Sequence, residues 1–376
     1  MRRSLNFKNK RNIPTTPWVL LCLVVTLCSI HYYFFMYPLG CEQLPTTFEF
    51  LSLSRSSPPS YTPAPVESYV LQNAQQLGYD EAQQKQQGCR IWNDPSASTI
   101  HSQLMQYRRD LDEYAARVKA FQATIPDLRL RANNDVCQSV DLHPQGLLAG
   151  IFPTSQQLSW TSTAGYVEPL LPPMRHPIFC ETRRGNLLNL NYLVHDFGTM
   201  CRNLQRTSRI VLVDMGASLQ FYGESPALYL MDLFRRFGFP FDHIYAFELK
   251  PTEPAEVYKN LPPHFMSAYH WINVGVSVEP GNVLNPFTTI KQNFNEDDLI
   301  IVKLDIDTPH LEMALVQQLL EDDELSGLID QFYFEHHVGL KELERQWGSQ
   351  IQGTVKDSLE LFYKLRQKGV PAHFWV

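Results

Sequence analysis

The sequence predicts an α/β protein whose main domain is a doubly wound, mostly parallel sheet, preceded by a transmembrane helix and a partly helical stem. Three observations carry that expectation. From residue 186 onward, short apolar runs alternate with amphipathic helical stretches, the pattern of a sheet covered on both faces. The runs stop repeatedly at an acidic residue, as in RIVLVDMGAS (209–218) and HIYAFEL (243–249). Upstream, a long uncharged apolar stretch and a Ser/Thr/Pro-rich region stand apart from the globular part.

In chain order, residues 1–17 form a basic tail with Arg2, Arg3, Lys8, Lys10 and Arg11 and no acidic residue. Residues 18–37 are apolar, long enough for a helix to cross a bilayer, and carry Trp18, Tyr32, Tyr33 and Tyr37 as interfacial aromatics. An uncleaved signal-anchor with its amino end cytoplasmic is expected. A cleaved signal peptide is the alternative, opposed by the length of the apolar stretch and the lack of an A-x-A-like site. The remainder then faces the lumen of the Golgi or endoplasmic reticulum, or the exterior. Cys41, Cys89, Cys137, Cys180 and Cys201 lie beyond the span, so at most two bridges form within the chain. Cys41, beside the membrane, is a candidate for a bridge between chains.

Residues 38–97 read as a linker, with Pro58, Pro59, Pro63 and Pro65 closely spaced. Over 98–125, Ile100, Leu104, Tyr107, Leu111, Tyr114, Val118, Phe121 and Ile125 recur at spacings of three and four, a heptad-like seam. That helix either forms a coiled coil that makes a homodimer or packs onto the adjacent domain. Residues 126–185 are irregular and rich in Pro and aromatics, a candidate lid. In the domain at 186–376, strands are expected at 209–214, 243–249, 271–277, 299–307, 331–338 and 372–376. Helices are expected at 190–204, 225–237, 253–260, 311–322 and 355–367, the second with Pro226 in its first turn. A net charge of -7 gives no electrostatic reason to expect nucleic acid.

A doubly wound sheet brings its strand ends to one rim. There they present Asp214 with Gly216 and Ala217, Glu248, Asn273 with Gly275, Asp305 with Asp307, and Glu335 with His336 and His337. An acid after the second strand is positioned to accept ribose hydroxyls. A pyrophosphate would also want a G-x-G-x-x-G turn, whereas residues 216–223 read GASLQFYG. A cofactor without phosphates suits this turn, and S-adenosylmethionine has a ribose for Glu248 and a cationic end for Asp214. The expected binding set is Asp214, Gly216, Ala217, Ser218, Glu248 and Asn273. Asp305 and Asp307 alternate with Ile306, so both face one side of the sheet and are candidate catalytic groups. His336, titrating near neutrality, is the third. Lys303, inside an apolar strand, is expected to be buried or snorkelling and paired with a neighbouring acid, with substrate contact as the alternative. Asp305, Asp307, Glu335 and one of the two histidines could supply metal ligands, but their spacing matches no recognised metal motif and no metal is assigned.

The segments DMGAS, YAFEL, INVGVSVEPGNV, IVKLDID and FYFEHHV, in this order, resemble the FkbM-type and related class I S-adenosylmethionine-dependent methyltransferases. The resemblance covers about half the chain, residues 186–376, and implies a Rossmann-like methyltransferase domain. With a lumenal placement it implies O-methyl transfer to a hydroxyl-bearing acceptor such as a glycan. The chain departs from the family pattern at Ser218 for Asn, Gln220 for Gly, and Asp307-Thr308 for Glu-Gly, and Pro309-His310 shift the next acid to Glu312. Those departures motivate the alternative of a non-catalytic, degenerate methyltransferase-fold binding domain on a membrane anchor.

Overall fold

The computed structural model describes residues 61–81, 86–124, 147–152, 165–182, 187–205, 207–217, 225–348 and 351–376. The expected tail, membrane span and first part of the linker lie outside these residues, as do Cys41, Ser218, Gln220 and most of the candidate lid. Among the described residues no helix is long and apolar enough to cross a membrane.

Six strands form one sheet: β1 (Ile210–Met215), β2 (His243–Phe247), β3 (Tyr269–Ile272), β4 (Leu299–Leu304), β5 (Gln331–Phe334) and β6 (Ala372–Phe374). Their order is β3-β2-β1-β4-β5-β6 and every neighbouring pair is parallel. The sheet is therefore wholly rather than mostly parallel, in the order of a Rossmann-like doubly wound fold. Burial explains the composition of its centre. β1 and β4 are buried at every position, and their apolar runs are interrupted by Asp214 and Lys303, which sit opposite each other in the register. The chain builds outward from β1 to β3 and then crosses to the other side of β1 for β4. The reversal between β1 and β4 opens a crevice at the carboxyl ends of the strands.

The helices are α1 (Pro65–Gln72), α2 (Arg90–Asn93), α3 (His101–Thr124), α4 (Phe197–Asn203), α5 (Pro226–Arg236), α6 (Pro254–Asn260), α7 (Pro286–Asn293), α8 (Pro309–Glu321), α9 (Asp323–Leu328), α10 (Glu344–Trp347) and α11 (Val355–Lys368). Their ends follow local chemistry. Ser225 caps α5 ahead of Pro226, and α11 begins with a reciprocal Thr354–Asp357 capping box and stops at Gly369, whose φ is 100°. The helix expected at 190–204 is confined to α4, capped by Asp196, and α7 and α9 were not foreseen.

Two expectations upstream are revised. The seam of α3 is filled by the chain itself: Leu104, Tyr107, Leu111, Tyr114 and Val118 are buried. The Tyr107 and Tyr114 rings lie beside Phe152, and the Tyr114 hydroxyl donates to His195 O at 3.1 Å and accepts from His195 N at 3.0 Å. Among the described residues, these seam positions thus pack onto the chain itself, as the packing alternative expects. Part of the expected linker also belongs to the core, since Val66, Val70, Tyr79 and Ile91 are fully buried. A disulfide joins Cys89 to Cys180, and Cys201 is disulfide-bonded as well.

At the β6 edge, the Arg366 side chain of α11 is fully buried. Its Nη1 donates to the Tyr61 hydroxyl at 2.9 Å and Glu168 O at 2.7 Å, and Nε and Nη2 donate to Ala372 O at 2.9 and 2.8 Å. Glu67 of α1 lies 3.8 Å from the guanidinium and accepts from Tyr61, while Glu168 meets His373 at 2.8 Å. Every charge in this cluster has a partner, as burial requires.

Candidate active site at the strand ends

The turn after β1 is shaped by β4. Gly216 has φ of 85°, and a Cβ placed on it would lie 1.6 Å from the Asp305 carbonyl oxygen. No other residue fits. The amides of Gly216 and Ala217 both donate to Phe247 O, at 3.0 and 2.9 Å, so the ends of β1, β2 and β4 are locked together.

Lys303 lies beneath this junction and is buried as expected. Its Nζ donates to Gly216 O at 2.8 Å and stands 3.1 Å from Asp214 Oδ1 and 3.3 Å from Asp305 Oδ2. Burial alone would lower the lysine, but the two carboxylates outweigh it and hold the ammonium above its usual range. Burial raises Asp214, against the pull of Lys303. Asp214 is therefore a buried partner of Lys303 and, contrary to expectation, lies below the crevice instead of lining it.

The crevice itself is a pocket of about 480 Å³ lined by Gly216, Ala217, Glu248, Leu249, Lys250, Val274, Gly275, Asp305, Asp307 and Thr308, among others. Glu248, at the end of β2, is half-buried, and its Oε1 accepts from the Lys250 amide at 2.6 Å. Leu249, 75% exposed, and Val274 form an apolar rim beside it. Asn273, expected to touch the cofactor, is used inside the loop: its Nδ2 donates to Glu248 O and Lys250 O at 2.7 and 2.8 Å, and its Oδ1 accepts from Thr252 N at 2.9 Å. The strand expected over 271–277 ends at Ile272, which turns Asn273 into a loop staple.

Beside the pocket, a second group assembles beyond β5. Glu335 Oε1 accepts from Arg175 Nη2 at 3.1 Å and from Trp347 Nε1 at 3.2 Å. Burial, reinforced by Asp305, pushes Glu335 up to about 7, while Arg175 and His337 pull the other way. His337 Nε2 stands 3.7 Å from Asp307 Oδ1 and 3.6 Å from Glu335 Oε2, and its Nδ1 stands 3.8 Å from Glu312 Oε2. Burial lowers this histidine, but Glu312 and Glu335 outweigh it and leave it above its ordinary value. His336, chosen from the sequence, instead stacks on Phe334 at 5.3 Å, with Phe362 of α11 on the same ring, and burial drops it to about 4. Residues 335 and 337 share one side of the extended chain and 336 takes the other. The histidine brought to the acids is therefore His337.

Thus the structure gathers Gly216, Ala217, Glu248, Asp305 and Asp307 around one pocket, withdraws Asp214 and Asn273 into supporting roles, and adds Arg175, Glu312 and Trp347. Arg175 and Trp347 come from irregular segments and a short helix with no sequence signal linking them to Glu335. A larger depression of about 610 Å³ lies against α5, but its acid, Asp232, already pairs with Arg235 and Arg236. Compared with known protein families, curated proteins and solved structures, the chain shows no significant match to any of them.

Proposed function

We propose that the chain is a membrane-anchored, S-adenosylmethionine-dependent methyltransferase acting on a hydroxyl-bearing acceptor such as a glycan. The observation that carries this reading is the charge of the pocket at the β1/β4 switch point. Among the described residues, its lining includes the carboxylates of Glu248, Asp305 and Asp307 and one cationic side chain, Lys250. Such a lining repels a pyrophosphate and suits a cofactor with a ribose and a cationic end. In this reading Glu248 would accept the ribose hydroxyls, and Leu249 and Val274, on the same pocket wall, would offer an apolar rim for the base.

Bound S-adenosylmethionine would supply an electrophilic methyl group for transfer to an acceptor oxygen, with the thioether as leaving group and the hydroxyl proton passing to a base. Lys303 holds Asp305 in place at the pocket floor. Asp307, with its side chain 88% exposed at the pocket, is positioned to orient the acceptor and take its proton. The Cys89–Cys180 bridge supports an oxidising compartment and hence the lumenal placement. A non-catalytic binding domain is the second reading, favoured by the withdrawal of Asp214 and Asn273 into contacts within the fold.

Calorimetric titration of the full chain in detergent with S-adenosylmethionine tests the proposal. Wild type is expected to bind, and Glu248→Ala to weaken binding by about ten- to a hundredfold, the worth of hydrogen bonds to a charged acceptor. Absence of binding to folded protein sinks the enzyme reading. Binding without methyl transfer to any glycan offered supports the second one.

A further inference from the structure

The geometry points to a binding site for one divalent transition-metal ion formed by Asp307, Glu335 and His337 at the edge of the strand-end pocket. One donor atom from each of the three lies within 4.8 Å of the others. His337 Nε2 is 3.7 Å from Asp307 Oδ1 and 3.6 Å from Glu335 Oε2, too far for hydrogen bonds. Two donors that share an ion at about 2.1 Å stand roughly 3.0–3.5 Å apart, so a small inward movement closes the set. The exposed Asp307 side chain is free to make that movement.

The buried imidazole supplies an independent indication of a ligand. The His337 side chain is only 6% exposed; its Nδ1, on the Glu312 side, is buried with no hydrogen-bond partner, and its Nε2, aimed at Asp307 and Glu335, comes no closer to them than 3.6 Å. A ring in that state calls for something to bind it. Its surroundings are arranged as around a metal ligand. Glu312, whose Oε1 accepts from the Ile306 amide at 2.9 Å, holds Oε2 3.8 Å from Nδ1, on the side where an outer carboxylate orients a ligating imidazole. Arg175 and Trp347 both engage Oε1 of Glu335, which leaves Oε2 turned to His337. Asp307, Glu312 and Glu335 converge on His337 with Arg175 as the neighbouring cation, an excess of negative charge that a divalent cation offsets.

One imidazole nitrogen and two carboxylate oxygens suit Mn²⁺, Fe²⁺ or Zn²⁺ better than Ca²⁺ or Mg²⁺. Three protein ligands leave coordination positions open, as in catalytic sites, and Asp307 itself lines the pocket. An ion there would acidify a hydroxyl bound to it. That role, and the hydroxyl-bearing substrate class, rest on the methyl-transfer reading; the binding of the ion does not.

The test is titration of the full chain in detergent, without cofactor, with Mn²⁺ followed by electron paramagnetic resonance and with Zn²⁺ followed by calorimetry. One ion per chain is expected. Asp307→Ala, which removes an exposed side chain at a position of positive φ, and His337→Gln should each weaken binding by at least about tenfold with circular dichroism unchanged. If neither ion binds wild type, or if Asp307→Ala binds as wild type does, the site is overturned. Metal binding without S-adenosylmethionine binding upholds the site and counts against the methyl-transfer reading. Cofactor binding without metal binding overturns the site alone.

Discussion

At the scale of single residues, Lys303 is the pivot of the strand ends, because one ammonium neutralises carboxylates from β1 and from the turn after β4 while binding the Gly216 carbonyl. Lys303→Met would leave Asp214 buried without a counter-charge. Loss of about 3–5 kcal/mol of stability is expected, read by urea denaturation, because an unpaired buried charge costs more than the pair gains. Lys303 was legible in the sequence as a buried lysine paired with an acid. Glu248 was legible too, as an acid that stops an apolar run, and Asp305 as one of two acids at the end of the fourth strand. Gly216 was read as a site residue from its turn, and it lines the pocket; what forbids a side chain there is the Asp305 carbonyl, a contact across the sheet that local sequence does not encode. The choice between His336 and His337 likewise needed the side of the chain each takes beyond Phe334, which adjacent histidines do not reveal.

At the scale of elements, α3 separates periodicity from partnership. The three-and-four spacing correctly marks a helix with one apolar seam, but the same seam serves a second chain or the same chain equally well. Here it is buried against the chain's own aromatic residues. Leu111, fully buried on that seam, gives the test: Leu111→Ala is expected to cost about 2–5 kcal/mol in denaturation while leaving the sedimentation coefficient unchanged. A coiled-coil role would instead show as a change in oligomeric state. The strands were legible because central parallel strands are continuous apolar runs. Their ends were overextended where polar residues follow the last ladder bond, as at Asn273, which serves the loop. α7 and α9 escaped because a short helix that begins after Asn285 or Asp322 looks like a polar turn until its buried side is known.

At the scale of the whole molecule, stability depends on histidines that enter the fold neutral. Burial, aided by Arg108, lowers His176 to about 4, and burial with His373 lowers His195 well below its ordinary 6.5. The unfolded chain takes up these protons near pH 6.5 and the folded chain resists them. Stability is therefore complete above that value and declines as pH falls toward the folded ones. His176 Nδ1 accepts from the Ile178 amide at 3.1 Å, a cap that asparagine can replace. Between pH 7 and pH 5, His176→Asn should lose about 2 kcal/mol less than wild type in urea denaturation.

The buried Arg366 cluster also determines where the globular part can be cut free of whatever precedes it. Its guanidinium is shared by Tyr61 and Glu67 near the start of the described chain, by Glu168, and by Ala372 in the last strand. Removing everything before Ser68 would strip Tyr61 and Glu67 away and expose a hole beside a cation that cannot lose its proton. A shortened form of the chain must therefore begin ahead of Tyr61, because loss of residues 61–67 would unpair the buried Arg366 instead of trimming a dispensable segment.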